Sequence, residues 1–503
     1  RDIIIAYELA LQEKVDVPFW ILQVVADAFL ALRQPEKALV LYQVVLKSQP
    51  DSFNVKMPIY DTLIDLGRFQ EAGRLLESMD KVEPIQVKER GILKDNVRKE
   101  QIAANKVWLL MYQDRLMKAQ KLGDKYINAA PGDSQMRLAM AHLNLWRGWK
   151  RHALEEFRIL RTTDPSFVSA KIGFARALYE NMHQMQAREI LKSLLKQYPN
   201  NLQLSQAKHQ MDVDDMAMIT VSGYYGHEIP GSDEFYLSTR YDQPINDHHK
   251  FFTEIIRRKT KGDSGSGDDL TQRFYIGDIY RPNNTWKLTN ALTGNYDTGQ
   301  QLGGISEVEL TPDDYWTHNI HYDSKTIDVP LRSRMAGVDV QDYSWSSRYR
   351  QSESFNTALN LNFKNFDDGN ANWNYSWTTD TALLTYAYWK CRVGTEFDYT
   401  TFSKHDVDYY NPKKLYDLYL IPNVEHIWYK RYEKSVLDRF FVGLGQQWEE
   451  NLAAENVGFL RYELEYRHSD TLSFLLGATY SLKNYSGQSM NALNTYLSTR
   501  KKF

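Results

Sequence analysis

Cysteine and long apolar runs are almost absent from this sequence. Only one of the 503 residues is a cysteine, Cys391, which excludes an internal disulfide framework and a cysteine metal cluster. Eighteen consecutive apolar residues occur nowhere, so we expect no transmembrane helix. Cys391 lies in a run of alternating polarity and is interpreted as a packed side chain, not as a nucleophile.

Signatures of catalysis and of nucleotide binding are also missing. The 12 histidines are scattered without a Cys/His metal-ligand spacing, and the sequence has neither a phosphate-binding loop nor a nucleophile elbow. The glycine-rich segment 262–268 lacks the Lys-Ser/Thr ending of a phosphate loop and is expected to be an exposed loop. We therefore predict a protein that is not an enzyme, with no catalytic residues, no metal site and no cofactor.

Charge is distributed unevenly along a chain whose formal net charge is −3. Residues 1–215 have a balance of +4, whereas the remainder has a balance of −7. A nucleic-acid partner would require a basic patch, so the acidic C-terminal part argues against one. The chain begins at Arg1, without a methionine or a signal peptide, and we expect a mature or truncated fragment.

Polar and apolar residues alternate from Met218 to Phe503 in about sixteen runs. A period of two is typical of β-strands, in which successive side chains point to opposite faces. In segment 456–467, for example, Tyr462 and Leu464 share one face and Glu463 and Glu465 the other. Turn residues separate many of the runs, as in 367–370 and 410–412.

Strands with one apolar face can form a soluble β-sandwich or a membrane β-barrel, and the number of aromatic residues distinguishes the two. Of 33 Tyr, 26 follow Met216, as do 8 of the 12 Trp. This number exceeds the needs of a soluble sandwich core, but it suits the two aromatic girdles of an outer-membrane barrel. We predict that residues 218–503 form a transmembrane antiparallel β-barrel of about 16 strands, wide enough to enclose an aqueous channel.

Residues 1–209 contain an internal repeat with an alanine and, twelve residues later, a proline. The five pairs are Ala38 and Pro50, Ala72 and Pro84, Ala119 and Pro131, Ala153 and Pro165, and Ala187 and Pro199. Alanine lets two helices approach closely, and proline ends the second helix. With a spacing of 34 residues between several of the alanines, the pattern predicts about five tetratricopeptide repeats, which stack into a superhelix.

Two segments depart from these patterns. The interval from Pro84 to Pro131 is 47 residues, which implies an insertion of 13 residues near 87–99. A lengthened helix or a loop is the simpler interpretation of the insertion, and a docking surface is the alternative. Residues 210–217, with an acidic run at 212–215, are expected to be a solvated linker between the two domains.

Strand parity assigns a set of carboxylates to the polar face of the predicted barrel. They are Glu307, Glu309, Glu396, Asp398, Glu463 and Glu465. On that face they would line the lumen as binding residues and favour cationic or neutral cargo over anions. The alternative is that each lies near a loop or is paired with Arg392, Arg461 or Arg467.

Several segments of the barrel resemble the PgaA family of poly-β-1,6-N-acetyl-D-glucosamine export porins. They are 328–332, Arg350 with Glu353, 366–370, 409–412, and Glu425 with His426. The resemblance implies an outer-membrane barrel, surrounded by lipid, with its repeat domain in the periplasm. It also implies passive export of a partially deacetylated biofilm exopolysaccharide, and docking of a periplasmic polysaccharide deacetylase or of the polymer on the repeats.

Two other functions remain open at this point. The chain could export another exopolysaccharide, such as cellulose or alginate, although an acidic lumen is unnecessary for a neutral polymer and repels an anionic one. It could also be a non-conducting outer-membrane scaffold, with a plugged barrel and repeats that hold a partner.

Overall fold

The computed structural model describes residues 2–229, 231–262, 268–295, 302–329, 333, 337–407, 409–485 and 487–503. Within these ranges no helix has the length and apolar character needed to cross a membrane. The chain forms two compact units. Most of residues 1–206 belong to the first unit, and the second contains 207–503 with the two short stretches 147–151 and 175–192.

The N-terminal half is helical, as the repeat pattern predicts. Its helices are α1 Asp2–Gln12, α2 Phe19–Ala31, α3 Pro35–Ser48, α4 Phe53–Asp65, α5 Phe69–Val82, α6 Val97–Tyr112, α7 Leu116–Ala129, α8 Ser134–Arg147, α9 Lys150–Thr163, α10 Val168–Glu180, α11 Gln184–Gln197 and α12 Leu202–Asp214. Helices α2 to α11 make five helix pairs, which confirms the predicted tetratricopeptide architecture. The alanine of each repeat lies on the second helix of its pair and is completely buried, where a larger side chain would separate the helices.

The predicted insertion is a β-hairpin, so its interpretation as a lengthened helix or a loop is wrong. Strand β1, Gln86–Glu89, pairs with β2, Ile92–Asp95, through a two-residue turn. Both turn residues, Arg90 and Gly91, have positive φ, the geometry that closes tight hairpins. Every residue of the two strands is exposed.

The hairpin is joined to α6 by a polar residue that caps the helix. The Asn96 side-chain oxygen accepts a hydrogen bond of 3.1 Å from the backbone N–H of Arg98. The Asn96 amide donates to the carbonyl oxygen of Pro84 at 2.8 Å and to the Glu83 carboxylate at 3.0 Å. The Asn96 side chain therefore pairs with a free backbone N–H group in the first turn of α6. It also joins the two ends of the insertion through its hydrogen bond to Pro84.

We expect Asn96→Ala to lower the free energy of unfolding of the repeat unit by about 1–2 kcal/mol, because it removes a helix cap from a buried position. Urea unfolding of the full chain, followed by far-ultraviolet circular dichroism, measures this change. Lys88→Ala on the exposed hairpin is the control, with an expected change within about 0.5 kcal/mol. Equal stabilities of the Asn96 and Lys88 variants would contradict the capping role.

Helix α12 continues into the segment predicted to be a linker. Residues 210–214 are helical. Two contacts between residues one helical turn apart stabilise them: an ion pair of 2.5 Å between Lys208 and Asp212, and a hydrogen bond of 3.3 Å from the Gln210 amide to Asp214. The first barrel strand begins at Met218. The non-helical connection is therefore shorter than predicted, and the domain limits 1–209, 210–217 and 218–503 stay a prediction.

The C-terminal part is a closed barrel of sixteen strands, all paired antiparallel to their neighbours, which confirms the predicted fold and strand number. The strands are β3 Met218–Ile229, β4 Ser232–Pro244, β5 His249–Lys261, β6 Asp268–Tyr280, β7 Trp286–Asn295, β8 Leu302–Leu310, β9 Trp316–Asp323, β10 Val340–Ser352, β11 Phe355–Phe366, β12 Ala371–Tyr386, β13 Trp389–Phe402, β14 Leu415–Arg431, β15 Lys434–Glu449, β16 Glu455–Ser469, β17 Leu472–Tyr485 and β18 Gln488–Lys502. Pairing of β18 with β3 closes the ring. We call the end at which β3 begins the near end, and the opposite end the far end.

The two faces of the barrel wall differ in chemistry. Large apolar side chains occupy the outward face and remain open to the surroundings, for example Leu444 at 59% exposure and Leu476 at 54%. Charged side chains such as Arg439 lie on the other face and make ion pairs with carboxylates of neighbouring strands. An apolar exterior around a charged interior is the arrangement of a barrel in lipid with a polar lumen.

The second unit also includes short helical stretches that contact the near-end turns of the barrel. The backbone N–H of Arg151 donates to the Asp314 carboxylate at 2.9 Å, and its guanidinium reaches the carbonyl oxygen of Thr311 at 2.6 Å. Arg188 makes ion pairs with Asp247 at 2.5 Å and Asp215 at 2.7 Å. These charge-assisted contacts fix the stretches to the rim within this unit.

A buried arginine anchors the chain at the far end of β9. Arg273 is 1% exposed and makes an ion pair of 3.2 Å with Asp323, which is 5% exposed. Its guanidinium also donates to Thr293 Oγ1 at 2.6 Å and to the carbonyl oxygen of Lys325. The start of the segment that follows β9 is therefore bound to the lumen wall.

Candidate functional site

The lumen wall formed by β13 to β16 carries most of the predicted binding carboxylates. The strand register places Glu396 and Asp398 of β13, and Glu463 and Glu465 of β16, on the inward face. Two further inward carboxylates lie between them on β14, Asp417 directly opposite Asp398 and Glu425 directly opposite Lys390. We call these six carboxylates the acidic wall.

The near-end half of the acidic wall is largely neutralised. Arg439 of β15 makes ion pairs with Glu425 at 2.9 Å, Glu463 at 3.4 Å and Glu465 at 3.0 Å. Glu465 also contacts Arg467 at 3.3 Å. Lys390 makes a further ion pair of 3.2 Å with Glu425. Three cations therefore face three carboxylates, and this half is a connected network with a small net charge.

The far-end half has carboxylates without a close counter-ion. Among the residues that the structure describes, Glu396, Asp398 and Asp417 have no cationic nitrogen within 4.0 Å. One carboxylate oxygen of Asp417 is shielded from solvent and has no hydrogen-bond partner in the described chain. A ligand that donates hydrogen bonds and carries positive charge would satisfy these groups.

The remaining predicted residues, Glu307 and Glu309, lie inward on β8, well away from the acidic wall around the ring. Lys287 binds Glu309 at 2.6 Å and lies 3.7 Å from Glu307. Asn319 also donates to Glu307 at 3.0 Å. The structure therefore separates this pair from the other four and gives it a local cation.

The three arginines weighed as neighbours behave differently. Arg467 does pair with Glu465, whereas Arg392 binds Asp380. The Arg461 guanidinium lies over the rings of Phe441 and Phe459, 5.4 and 5.3 Å from their centroids.

Sequence reasoning missed Asp417, Glu425 and Arg439 as members of the wall. Alternation in Leu415–Arg431 and Lys434–Glu449 contains them, and strand parity would have placed all three inward. Parity could not show that Arg439 joins three carboxylates, because this depends on which strands are neighbours and in what register.

The described residues do not form a metal-binding group of three or more His, Cys, Asp or Glu side chains. The lumen wall is a charged, hydrogen-bonding surface.

Comparison with known proteins bears on the barrel first. The family model described as the PgaA membrane beta barrel domain matches residues 213–503, more than half of the chain. The chain belongs to the PgaA family. A tetratricopeptide-repeat model matches residues 173–201, which include α11.

Two curated relatives are the poly-beta-1,6-N-acetyl-D-glucosamine export proteins of Escherichia coli K12 and O157:H7. Each is 21% identical over 385 residues, which are 75% of this chain and 47% of the relative. The chain thus spans about half the length of the curated relatives that it matches. A solved structure described as a bacterial polysaccharide outer membrane secretin aligns with a TM-score of 0.54 at 19% identity, over 57% of this chain and 99% of that one.

Family membership gives the barrel its place in the cell. The barrel lies in the outer membrane and the repeats lie in the periplasm, as predicted. The near end is therefore the periplasmic end, and the far end faces the outside of the cell. The neutralised half of the acidic wall lies towards the periplasm, and the half without close counter-ions lies towards the exterior.

Proposed function

We propose that this PgaA-family chain exports partially deacetylated poly-β-1,6-N-acetyl-D-glucosamine through the lumen of its barrel. The observation that carries the proposal is the group of three inward carboxylates, Glu396, Asp398 and Asp417, without a close counter-ion in the described chain. Deacetylation exposes glucosamine amines, which are cationic at neutral pH and complementary to these groups. The names of the curated relatives agree with this cargo.

The paired carboxylates also have a role in this proposal. In each of the pairs Glu307/Glu309 and Glu463/Glu465, the two carboxylates share one cation. An incoming amine can therefore replace part of an existing ion pair and bind weakly to each carboxylate. Numerous weak contacts suit transport, because the cargo must leave each position as readily as it enters. The function is passive conduction, and the proposal includes no catalytic step.

Location of the polymer is the test of this function. In a cell that makes the polymer, deletion of this chain should move material digestible by a β-1,6-N-acetylglucosaminidase from the medium to the periplasm. Unchanged secretion would contradict the proposed export. Periplasmic accumulation of cellulose or alginate in the corresponding host would instead support the alternative cargo, and absence of ion conductance through the reconstituted barrel would support the scaffold.

For the repeat domain, we propose a docking surface for the polymer on the first helices of three successive repeats. Trp108 and Tyr112 of α6 stack at 5.9 Å, and Trp146 of α8 packs edge-on against Tyr112 at 5.7 Å. Burial raises the pKa of the Tyr112 hydroxyl, and the negative charges of Asp61 and Asp65 on α4 raise this pKa further, to about 12. Aromatic faces beside carboxylates attract a sugar that carries an ammonium group.

We expect binding of a β-1,6-linked glucosamine oligomer to the full chain to strengthen between pH 5 and pH 7. Desolvation, with a smaller contribution from Asp65, raises the pKa of Asp61 to about 6. Asp61 is therefore mostly neutral below that pH and gains its charge above it, while the amines stay cationic. The affinity should rise by about fivefold, the effect of about 1 kcal/mol for one ion pair.

Isothermal titration calorimetry at the two pH values measures this change. Asp61→Asn should remove the pH dependence, whereas Asp16→Asn at an exposed position should keep it. An unchanged pH dependence in Asp61→Asn would show that Asp61 does not contact the oligomer.

A periplasmic polysaccharide deacetylase remains the proposed protein partner of the repeats. Tetratricopeptide superhelices commonly bind extended partners on their concave face, which supports this assignment. Substitution of Trp146 by alanine distinguishes the two occupants, because loss of oligomer binding with retained deacetylase binding assigns the aromatic surface to the polymer.

A further inference from the structure

Strand β5 carries a row of basic side chains on the lipid-facing side of the barrel. Arg257, Lys259 and Lys261 alternate along the strand and share a face with Ile255, which is 55% exposed. The opposite face points into the lumen, where Arg258 makes an ion pair of 2.8 Å with Glu234. All three outward side chains are exposed.

This row is unusual within the described barrel. Strand parity in the described ladders places the other outward-facing lysines and arginines, Arg431, Lys434 and Lys501, at the periplasmic ends of their strands. The row on β5 occupies the half of the strand towards the exterior, since β5 runs from His249 at the periplasmic end to Lys261.

The neighbours of the row differ along its length. Lys261 lies directly opposite Asp233 on β4 and Asp268 on β6, so it has acidic neighbours on both sides. The Asp233 carboxylate also accepts hydrogen bonds from Tyr225 at 2.9 Å and His227 at 2.7 Å.

In the described strand register, Arg257 and Lys259 have no acidic residue opposite them on the outward face. Arg257 is flanked by Leu237 and Gln272, and Lys259 is flanked by Phe235 and Leu270. Leu237, Phe235 and Leu270 are all exposed. Two cations thus lie on an open apolar surface made by three strands.

A position at the polar boundary of the membrane explains why this arrangement is tolerated. A lysine or arginine on the lipid face is strongly destabilising at the bilayer midplane, but it has little cost near the interface. Alternate residues of a strand are about 7 Å apart, so the two side chains can converge on one anionic group. Guanidinium and ammonium groups are the side chains that bind phosphate best.

We propose that Arg257 and Lys259 form a binding site for the phosphate group of an outer-leaflet lipid. The phosphate lies between the two cations, and the acyl chains lie along Leu237, Phe235 and Leu270. An amphiphile is the occupant that matches both halves of the surface, the charged pair and the apolar residues beside it. The site is on the outside of the barrel, so it is independent of which polymer passes through the lumen.

The test measures lipid binding to the detergent-solubilised full chain by native mass spectrometry. The probes are diphosphoryl lipid A and the same lipid without its phosphates. The wild-type chain should bind the phosphorylated lipid at least about tenfold more tightly. Arg257→Gln/Lys259→Gln should weaken binding of the phosphorylated lipid by about 30-fold, the effect of about 1 kcal/mol for each basic residue near a lipid surface.

Arg431→Gln/Lys501→Gln is the matched control, since it removes two outward basic residues at the periplasmic end, and its affinity should stay within about twofold. Equal binding of both lipids to the wild-type chain would overturn the proposal without any variant. Equal losses in the two double variants would overturn it as well, because they would show general attraction to basic residues. Heat-modifiable migration in gels confirms that each barrel is folded.

Discussion

Asp398→Asn/Asp417→Asn is expected to reduce polymer secretion at least about tenfold while the barrel remains folded. The two carboxylates lie directly opposite each other on β13 and β14, on the inward face. Asparagine keeps the size and most hydrogen-bonding capacity of the side chain and removes the negative charge. If each lost attraction to an ammonium group is worth about 1 kcal/mol, occupancy of this part of the lumen falls by about 30-fold.

Secretion is measured as glucosaminidase-digestible material in the medium, with the periplasmic fraction measured in parallel. Asp278→Asn/Asp438→Asn is the matched control, because the register places these two aspartates on the outward face. The control should secrete normally. A cation selectivity of the reconstituted barrel that falls only in the inward variant would locate the effect in the lumen, whereas normal secretion by that variant would refute the binding role of the carboxylates.

Arg273→Ala is expected to destabilise the barrel by about 3–5 kcal/mol, because it leaves the buried Asp323 carboxylate without its cation. The same change removes the donors to Thr293 and to the carbonyl oxygen of Lys325. The chain after β9 therefore loses one of its attachments to the wall, while Lys325 keeps its ion pair of 3.0 Å with Asp339. We expect trypsin to cut at Lys325 faster than in the wild-type chain.

A double-mutant cycle separates the ion pair from the size of the side chain. Arg273→Ala/Asp323→Ala should be more stable than Arg273→Ala alone, since it removes the uncompensated buried charge. The loss of stability is measured as the urea concentration at which the barrel unfolds in detergent. Equal stabilities of the single and double variants would show that the ion pair does not carry the effect.

The sequence by itself determined both architectures, for physical reasons that are local. A period of two in polarity fixes which side chains face lipid, so strand parity alone placed Glu396, Asp398, Glu463 and Glu465 inward. Alanine at a fixed distance from proline fixes a helix pair, since only a small residue permits the close approach seen at Ala153. Both patterns can be recognised from residues that are near one another in the sequence, without knowing which distant residues are in contact.

Shorter features were predicted less well. The insertion after Pro84 is a hairpin, and its turn requires positive φ at Arg90 and Gly91. In the sequence only one glycine within a charged stretch indicates such a turn, so the prediction was weak. Helix α12 continues into the acidic run because Lys208 offers Asp212 a partner one turn away. In each case a local interaction outweighed the composition of the segment.

Only the tertiary structure decided which charges in the lumen neutralise one another. Arg439 meets Glu425, Glu463 and Glu465 because β14, β15 and β16 are adjacent in one register, and a shift of that register would change the partners. The same register leaves Asp398 opposite Asp417. Strand pairing joins residues that are far apart in sequence, so the electrostatic character of the channel depends on closure of the barrel, whereas the face to which each residue belongs is set by the sequence alone.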